Sequence, residues 1–457
     1  MHIGSILCMI FFPFFIIAQN PAPSGWRHHY DQTLVMKMFL AKPDGKGGSD
    51  ISLKFEDVLS VVKYTDNMTL QVPKIIYLVG WQYNGHDDRY PAFFGVNEGL
   101  KRKEDRTALE SLRWLIREAK KYNTTISLHI NMTDAYEDSP LWHTYVEKDL
   151  IAKTGNGRLK VIGNYNGKKA YHINYKREWE SGWAQKRIDA LLSMIPELKQ
   201  SGSIHLDAWL ARPSEGHQEG EDVDMEYQKK VADYWLAHGI DPTTEWVMPY
   251  MVGRVPYYWH FNGQTQDNYL KQPAYLVTGA HFNPDLKKSD FGLEFLFGTS
   301  IYGETVFPRK RKFIHDTVWM ANFSRDFYLN FMQYSFLNKL KRIGVSGEGR
   351  AREARFEDNV LVNLADSTIT KEGNLLRKGD TLFLPVTWMK DSAWVAYSNS
   401  GASVVKQVPI EWKDVKQVSL YRVSKEGTVY DKELPVLDRQ LLLELPPNTP
   451  YVIQPVN

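Results

Sequence analysis

The sequence contains one cysteine among 457 residues, Cys8, close to the amino terminus. A single thiol forms no internal disulfide, so the fold depends on its own hydrophobic core. Charge of one sign is also scarce, because 56 basic and 54 acidic residues leave a formal net charge of +2. This balance lacks the basic excess that nucleic-acid binding requires, and we expect no nucleic-acid partner.

Long apolar runs are equally scarce. The run Ile6–Ile17 is too short to span a membrane, and no other run is long enough. It is followed by Ala18-Gln19, which suits signal-peptide cleavage. We therefore expect residues 1–18 to be a secretory signal peptide of bacterial type, and the mature protein to be secreted or periplasmic, without a membrane span.

Several catalytic and metal-binding motifs are absent. The sequence has no H-x-x-H or H-E-x-x-H spacing, no Gly-x-Ser-x-Gly elbow and no glycine-rich phosphate loop. His129 and His205 lie inside strand candidates, and we interpret them as core histidines with satisfied hydrogen bonds. The sequence therefore predicts neither a metal site nor a cofactor.

The first three quarters of the chain alternate between strand and helix patterns. Apolar runs of strand length are separated by stretches with helical spacing, which is typical of a parallel sheet in an α/β fold. We predict a (β/α)8 TIM-like barrel over residues 19–345; seven strands are identified, and the eighth is either short or near residues 300–307. The strand candidates are Thr33–Leu40, Lys74–Gly80, Thr125–Ile130, Ser203–Trp209, Thr243–Met248, Pro273–Gly279 and Leu293–Ser300; the helix candidates are Phe55–Tyr64, Arg106–Tyr122, Glu178–Leu198, Val223–His238 and Lys312–Asn338.

The pattern changes near residue 346. Short alternating runs separated by turn residues replace the long helical stretches, and this favours an all-β sandwich domain over residues 346–457. A long irregular insertion, from Met132 to Lys176, follows the third strand candidate. An insertion of this length beside the ends of strands is more often part of a site than a simple connection.

Two acids stand near the carboxyl ends of neighbouring strand candidates. Asp207 ends a short buried run, and Glu245 occupies a similar place 38 residues later, about one strand-helix unit along the chain. Catalytic groups of such barrels stand at these strand ends, and paired carboxylates are what a glycoside hydrolase needs. The alternatives are a helix cap or structural ion pair for Asp207 and a solvent-facing strand acid for Glu245.

Other polar and aromatic residues follow the same strand ends. His86 and Asp87 suit contacts with sugar hydroxyls, the alternative being a pair that shapes a turn. Asn131 suits the same role, the alternative being an amide that caps loop backbone. Trp81, Trp209 and Trp246 are either stacking platforms for sugar rings or barrel packing.

These segments resemble the endo-α-N-acetylgalactosaminidases of glycoside hydrolase family 101. The residues Gly80-Trp81-Gln82-Tyr83-Asn84-Gly85-His86-Asp87 look like the family's Gly-Tyr-Gln-x-x-Gly-His-Asp signature, and His129-Ile130-Asn131 resembles its His-Val-Asn segment. Leu206-Asp207-Ala208-Trp209 is similar to its nucleophile strand, and Thr244-Glu245-Trp246 to its acid/base strand. The resemblance spans roughly residues 34–300, and the acidic loop Leu210–Asp222 departs from it.

The resemblance implies a retaining α-glycosidase acting on Gal-β1,3-GalNAc-α-Ser/Thr or a related O-glycan. Asp207 would then be the nucleophile and Glu245 the acid/base, with His86, Asp87 and Asn131 lining the sugar pocket. One alternative is a non-catalytic glycan-binding protein on a hydrolase scaffold. Another is an α-galactosidase or α-glucosidase. In each case the expected partner is a carbohydrate or a glycoprotein O-glycan.

Overall fold

The protein has a parallel α/β part followed by an antiparallel part. The computed structural model describes residues 25–260, 293–301, 303–389 and 392–456. The expected signal peptide and the strand candidate Pro273–Gly279 lie outside these residues. Among the described residues, no helix combines the length and apolar composition needed to cross a bilayer.

Among the described residues, the central feature of the first part is a curled, open sheet of six parallel strands, in the order β1-β4-β5-β9-β10-β11. Five of these strands are those predicted from the sequence, while β11 was not predicted as a strand. The closed eight-stranded barrel stays a prediction. The strands of this part are β1 (Leu34–Phe39), β2 (Ala41–Pro43), β3 (Ser49–Ile51), β4 (Lys74–Val79), β5 (Thr124–Asn131), β6 (Asp134–Ala135), β7 (Val161–Tyr165), β8 (Lys168–His172), β9 (Ser203–Asp207), β10 (Asp241–Trp246) and β11 (Tyr258–His260).

The described residues contain ten α-helices. They are α1 (Phe55–Met68), α2 (Ala108–Ala119), α3 (Trp142–Glu147), α4 (Tyr175–Glu180), α5 (Trp183–Met194), α6 (Leu198–Ser201), α7 (Glu221–Ala237), α8 (Leu293–Phe297), α9 (Thr317–Asp326) and α10 (Met332–Asn338). A π-helical turn, Phe327–Phe331, joins the last two helices.

Local sequence accounts for these elements. In α2, Thr107 caps the first turn by accepting a hydrogen bond from the amide of Glu110, and Leu112, Leu115 and Ile116 form the buried stripe. All six residues of β4 are buried, as expected of a parallel strand covered on both faces.

Two element predictions were wrong. Leu293–Ser300 was expected to be a strand, but Leu293–Phe297 is helical; a short apolar run fits either structure, so periodicity could not decide. The single helix expected over residues 178–198 is divided, because Gly182 adopts a left-handed backbone (φ 77°) between α4 and α5.

The inner face of the sheet has its own small core at the amino-terminal end of the strands. Val35, Ile75, Tyr77, Tyr257 and Trp259 pack there together with Tyr30. The Tyr30 hydroxyl donates to Ser203 Oγ at 2.8 Å and to an Asp241 carboxylate oxygen at 3.2 Å. This packed floor closes one end of the curled sheet and leaves the carboxyl end for a site.

The carboxyl-terminal part contains a ten-stranded antiparallel sheet and a two-stranded ribbon, β19 with β22. It is rich in β-structure, as predicted; the two-layer sandwich and the boundary at residue 346 stay predictions. Its strands are β12 (Arg342–Ser346), β13 (Glu353–Phe356), β14 (Val360–Asn363), β15 (Thr368–Lys371), β16 (Asn374–Lys378), β17 (Thr381–Pro385), β18 (Trp394–Ser398), β19 (Ala402–Gln407), β20 (Gln417–Ser424), β21 (Gly427–Pro435), β22 (Gln440–Leu445) and β23 (Tyr451–Pro455).

Candidate active site

The structure brings Asp207 and Glu245 to the same edge of the parallel sheet. Strands β9 and β10 pair with Leu206 opposite Thr244, so the residues that follow these two are also neighbours. The amide of Ala208, next to Asp207, donates to Glu245 Oε2 at 3.4 Å. Both side chains are largely buried, with 12% and 13% of their surfaces exposed. The two acids that the sequence predicts as a pair therefore lie close together in the structure.

Asp207 is held ionised by its neighbours. Burial alone would raise the pKa of this carboxyl, but the positive charges of His129, His86 and Lys37 outweigh burial and hold the pKa well below its usual range. The nearest of these groups is the Nε2 atom of His129, 3.2 Å from Asp207 Oδ2. A buried carboxylate kept in its charged form suits a nucleophile.

Glu245 is shifted in the opposite direction. Burial raises its pKa, and so does the negative charge of Asp207. Lys37 of β1 opposes this shift, because its Nζ lies 3.0 Å from Glu245 Oε1. Two neighbouring acids whose environments push their pKa values apart can divide the roles of carboxylate and proton donor.

The His86-Asp87 loop lies against this pair. His86 Nε2 is 3.5 Å from Asp87 Oδ2, and the His86 ring packs edge-on against His129 at 5.2 Å between centroids. The loop approaches β2 closely, because a Cβ on Gly80 would lie 2.0 Å from the carbonyl oxygen of Ala41. Glycine at this position therefore allows the loop to reach the site.

Asn131 has one of the two roles considered for it, because its side chain caps loop backbone. It ends β5 in register with Asp207. Its Oδ1 accepts hydrogen bonds from the amides of Thr133 (2.7 Å) and Asp134 (2.8 Å), so it does cap loop backbone. Its buried Nδ2 has no hydrogen-bond partner among the described residues, and this leaves one donor beside Asp207.

The three tryptophans differ. Trp81 and Trp209 are 0% and 1% exposed and belong to the main core, which favours barrel packing, one of the two roles considered for them. The Trp81 indole donates to the carbonyl of His129 at 3.0 Å. Trp246 is only half-buried, and its ring lies 6.3 Å from the ring of His260.

Sequence reasoning missed three residues of the site. Lys37 is 208 positions from Glu245, and His129 was interpreted as a satisfied core histidine. It is buried, but neither of its ring nitrogens has a hydrogen-bond partner of good geometry in the described part of the chain. Asp134 lies nearby, and burial together with the charges of Asp87 and Asp207 raises its pKa to about 7. The alternation of β5 offered a signal, since residues 129 and 131 share a face.

The insertion predicted to contribute to the site does contact it. Strands β7 and β8 form a hairpin whose tip residue, Asn166, donates to the carbonyl of His86 at 3.0 Å. Lys168 Nζ reaches Asp88 Oδ1 at 2.6 Å. Tyr165 is 42% exposed, and burial and the charges of Asp134, Asp87 and Asp207 raise its pKa. The hairpin thus stands at the rim of the pocket.

Residues 45–269 match the family model described as endo-alpha-N-acetylgalactosaminidase. This span contains both acids, the His86-Asp87 loop and Asn131. Over these residues the chain therefore resembles glycoside hydrolase family 101. No curated protein sequence matches it.

Solved structures agree with the fold of this family 101-like chain. Alpha-N-acetylgalactosaminidase NagBb from Bifidobacterium bifidum, in complex with Gal-NHAc-DNJ, is 11% identical with a TM-score of 0.56, covering 76% of this chain and 58% of that chain. The ligand-free structure of NagBb is 13% identical with a TM-score of 0.54, covering 75% and 58%. The chain thus spans less than two thirds of NagBb, and at these identities the likeness establishes the fold alone.

Proposed function

We propose that the protein is an exported retaining α-glycosidase that hydrolyses α-linked GalNAc-type O-glycans, Gal-β1,3-GalNAc-α-Ser/Thr or a related glycan. The observation that carries the proposal is the pair Asp207 and Glu245, at neighbouring strand ends with pKa values shifted in opposite directions. A retaining mechanism requires the two carboxyl groups to work about 5–5.5 Å apart.

Each residue has a defined step in this mechanism. A carboxylate oxygen of Asp207 attacks the anomeric carbon, and the bond to the glycosidic oxygen breaks as Glu245 gives that oxygen its proton. Glu245, now a carboxylate, takes a proton from water, and the resulting hydroxide displaces Asp207 from the sugar. Two displacements at the same carbon retain the α configuration.

The substrate class rests on the family and on the polar groups around the pair. The family model describes enzymes of α-linked N-acetylgalactosamine, and NagBb is named for the same linkage. His86, Asp87 and the free Nδ2 of Asn131 offer donors and acceptors for sugar hydroxyls or an acetamido group. The half-buried Trp246 offers an aromatic face.

The proposal includes three finer points from the sequence. Residues 1–18 direct export to the periplasm or the medium. The catalytic unit is an eight-stranded (β/α)8 barrel over residues 19–345. The β-sandwich domain of residues 346–457 follows it.

A panel of aryl glycosides tests the function. We expect the wild-type protein to release the aryl group from the Gal-β1,3-GalNAc-α glycoside, and proton NMR to show the α anomer of the disaccharide as the first product. Preferred cleavage of an α-galactoside or α-glucoside would assign a different sugar specificity to the enzyme. Inactivity on every α-linked galacto-configured donor, together with binding to mucin glycans, would favour the glycan-binding alternative.

Lys37 sets the pH range of this activity. Glu245 is faced by Lys37 on β1, Asp207 on β9 and His129 on β5, and Lys37 lowers its pKa. The donor must be protonated, so activity falls as pH rises through this pKa. In Lys37→Met the pKa rises further, and we expect the basic limb of the kcat/KM profile to move up by about one pH unit or more. A basic limb that stays at the same pH, or moves to lower pH, would contradict this role of Lys37.

A further inference from the structure

We infer that the pocket contains a site for Zn²⁺ or a similar borderline transition metal, formed by His86, His129 and Asp207. Metal at this site occupies the carboxylate proposed as the nucleophile, so Zn²⁺ acts as a reversible inhibitor competing with the glycan. Metal binding itself is independent of the proposed function, whereas inhibition rests on it.

The three ligands converge from separate elements. His86 lies in the loop after β4, His129 in β5 and Asp207 at the end of β9, and one ligand atom of each lies within 4.8 Å of the others. In a tetrahedral zinc site, ligand atoms about 2.1 Å from the metal are roughly 3.4 Å from one another. His129 Nε2 and Asp207 Oδ2 are already 3.2 Å apart. Only His86, on a loop and 27% exposed, has to move closer.

The histidines are prepared for a ligand in two further ways. The Nδ1 atoms of the buried His129 (2% exposed) and of His86 have no hydrogen-bond partner among the described residues. His86 Nε2 faces Asp87, the carboxylate–histidine arrangement that orients imidazole ligands in metal sites. Orphaned buried nitrogens of this kind are uncommon and point to a missing partner.

The surrounding charge also favours a cation. Asp87 and Glu304 act on His86, Glu245 neighbours Asp207, and Lys37 is the positive charge that opposes them. Two imidazoles and one carboxylate match the donor preference of Zn²⁺, whereas Mg²⁺ and Ca²⁺ prefer oxygen ligands throughout. The three protein ligands leave a fourth position for water or a substrate oxygen.

Direct metal titration tests the site. Tag-free, chelator-treated protein is titrated with ZnCl₂ in competition with a chromogenic chelator, and with MgCl₂ and CaCl₂ by calorimetry. We expect one Zn²⁺ per chain and no comparable binding of Mg²⁺ or Ca²⁺. CoCl₂ should give the intense visible absorption of a tetrahedral site. Absence of stoichiometric Zn²⁺ binding, or equal binding of Ca²⁺, would overturn the inference.

Two variants and a matched control assign the ligands. His86→Ala, in a partly exposed loop, and Asp207→Asn are expected to weaken Zn²⁺ binding by more than about tenfold, while His143→Ala, an exposed histidine of α3, leaves it unchanged. Thermal melting confirms that each variant is folded. A loss in His143→Ala, or full binding in both site variants, would place the metal elsewhere and refute the assignment.

Inhibition is measured separately on the most reactive aryl glycoside. We expect Zn²⁺ to raise KM with little change in kcat, and a chelator to restore KM. Zinc binding without any hydrolase activity would support the metal site and refute the proposed function. Hydrolysis that is unaffected by stoichiometric Zn²⁺ would refute competition at Asp207.

Discussion

Asp207→Asn is expected to lower kcat/KM on aryl α-glycosides by about 10⁴-fold or more, because the neutral amide cannot form the glycosyl-enzyme bond. The substitution removes the negative charge that His129 and His86 stabilise. It preserves the shape of the side chain, and we therefore expect the fold to persist. Steady-state kinetics and thermal melting measure the two effects. Asp207→Ala with sodium azide should yield the β-glycosyl azide, the inverted product, since azide attacks in place of the carboxylate.

The matched control is Glu215→Gln. Glu215 lies on the acidic loop after β9, and its side chain is 48% exposed and paired with Lys160. We expect its kcat/KM to equal that of wild type. If Asp207→Asn retained more than about a tenth of wild-type activity, Asp207 would not be the nucleophile.

Glu245→Gln is expected to lower kcat/KM by about 10²- to 10⁴-fold on substrates with poor leaving groups. The loss should be far smaller for a dinitrophenyl glycoside, because that leaving group departs without a proton. The pH–rate profile should also lose its basic limb, which follows protonated Glu245 in the wild-type protein. Kinetics across a series of aryl leaving groups measure both effects.

Glu226→Gln provides the control, since Glu226 is an exposed residue of α7 paired with Lys230. An equal loss of activity for good and poor leaving groups in Glu245→Gln would point to a positional role. Azide rescue of Glu245→Ala should give the α-glycosyl azide. The opposite anomer would exclude Glu245 as the acid/base.

Much of the parallel sheet could be predicted because its strands are short, apolar and bounded by turn residues. In Lys74–Val79 and Thr124–Asn131, for example, the local sequence pattern indicated a strand and no other element. The segment Leu293–Phe297 had two readings, and tertiary packing decided for helix. The pairing of Arg342–Ser346 with Glu353–Phe356 needed knowledge of register that periodicity does not contain.

Some residues of the candidate site could be predicted from the sequence, and others could not. Asp207 and Glu245 were found because acids at the ends of apolar runs stand out in a sequence. Lys37 was missed because its meaning comes from a partner on another strand. For Trp81 and Trp209 the choice between platform and packing stayed open, because composition does not tell which face of an element a side chain takes. His129 was misjudged because its non-local neighbours, and not its strand, determine its surroundings.

The packed floor formed by Tyr30, Tyr77 and Trp259 has a kinetic consequence. With that end filled by side chains, the two acids face the opposite, carboxyl end of the strands, where the Asn166 hairpin contacts the His86 loop. In the proposed retaining mechanism, the departing aglycone and the incoming water would then both approach the sugar from this end. An aglycone that leaves slowly would keep water away from the glycosyl-enzyme. The sugar would then be transferred back to the aglycone or to another alcohol more often, so transglycosylation would compete with hydrolysis.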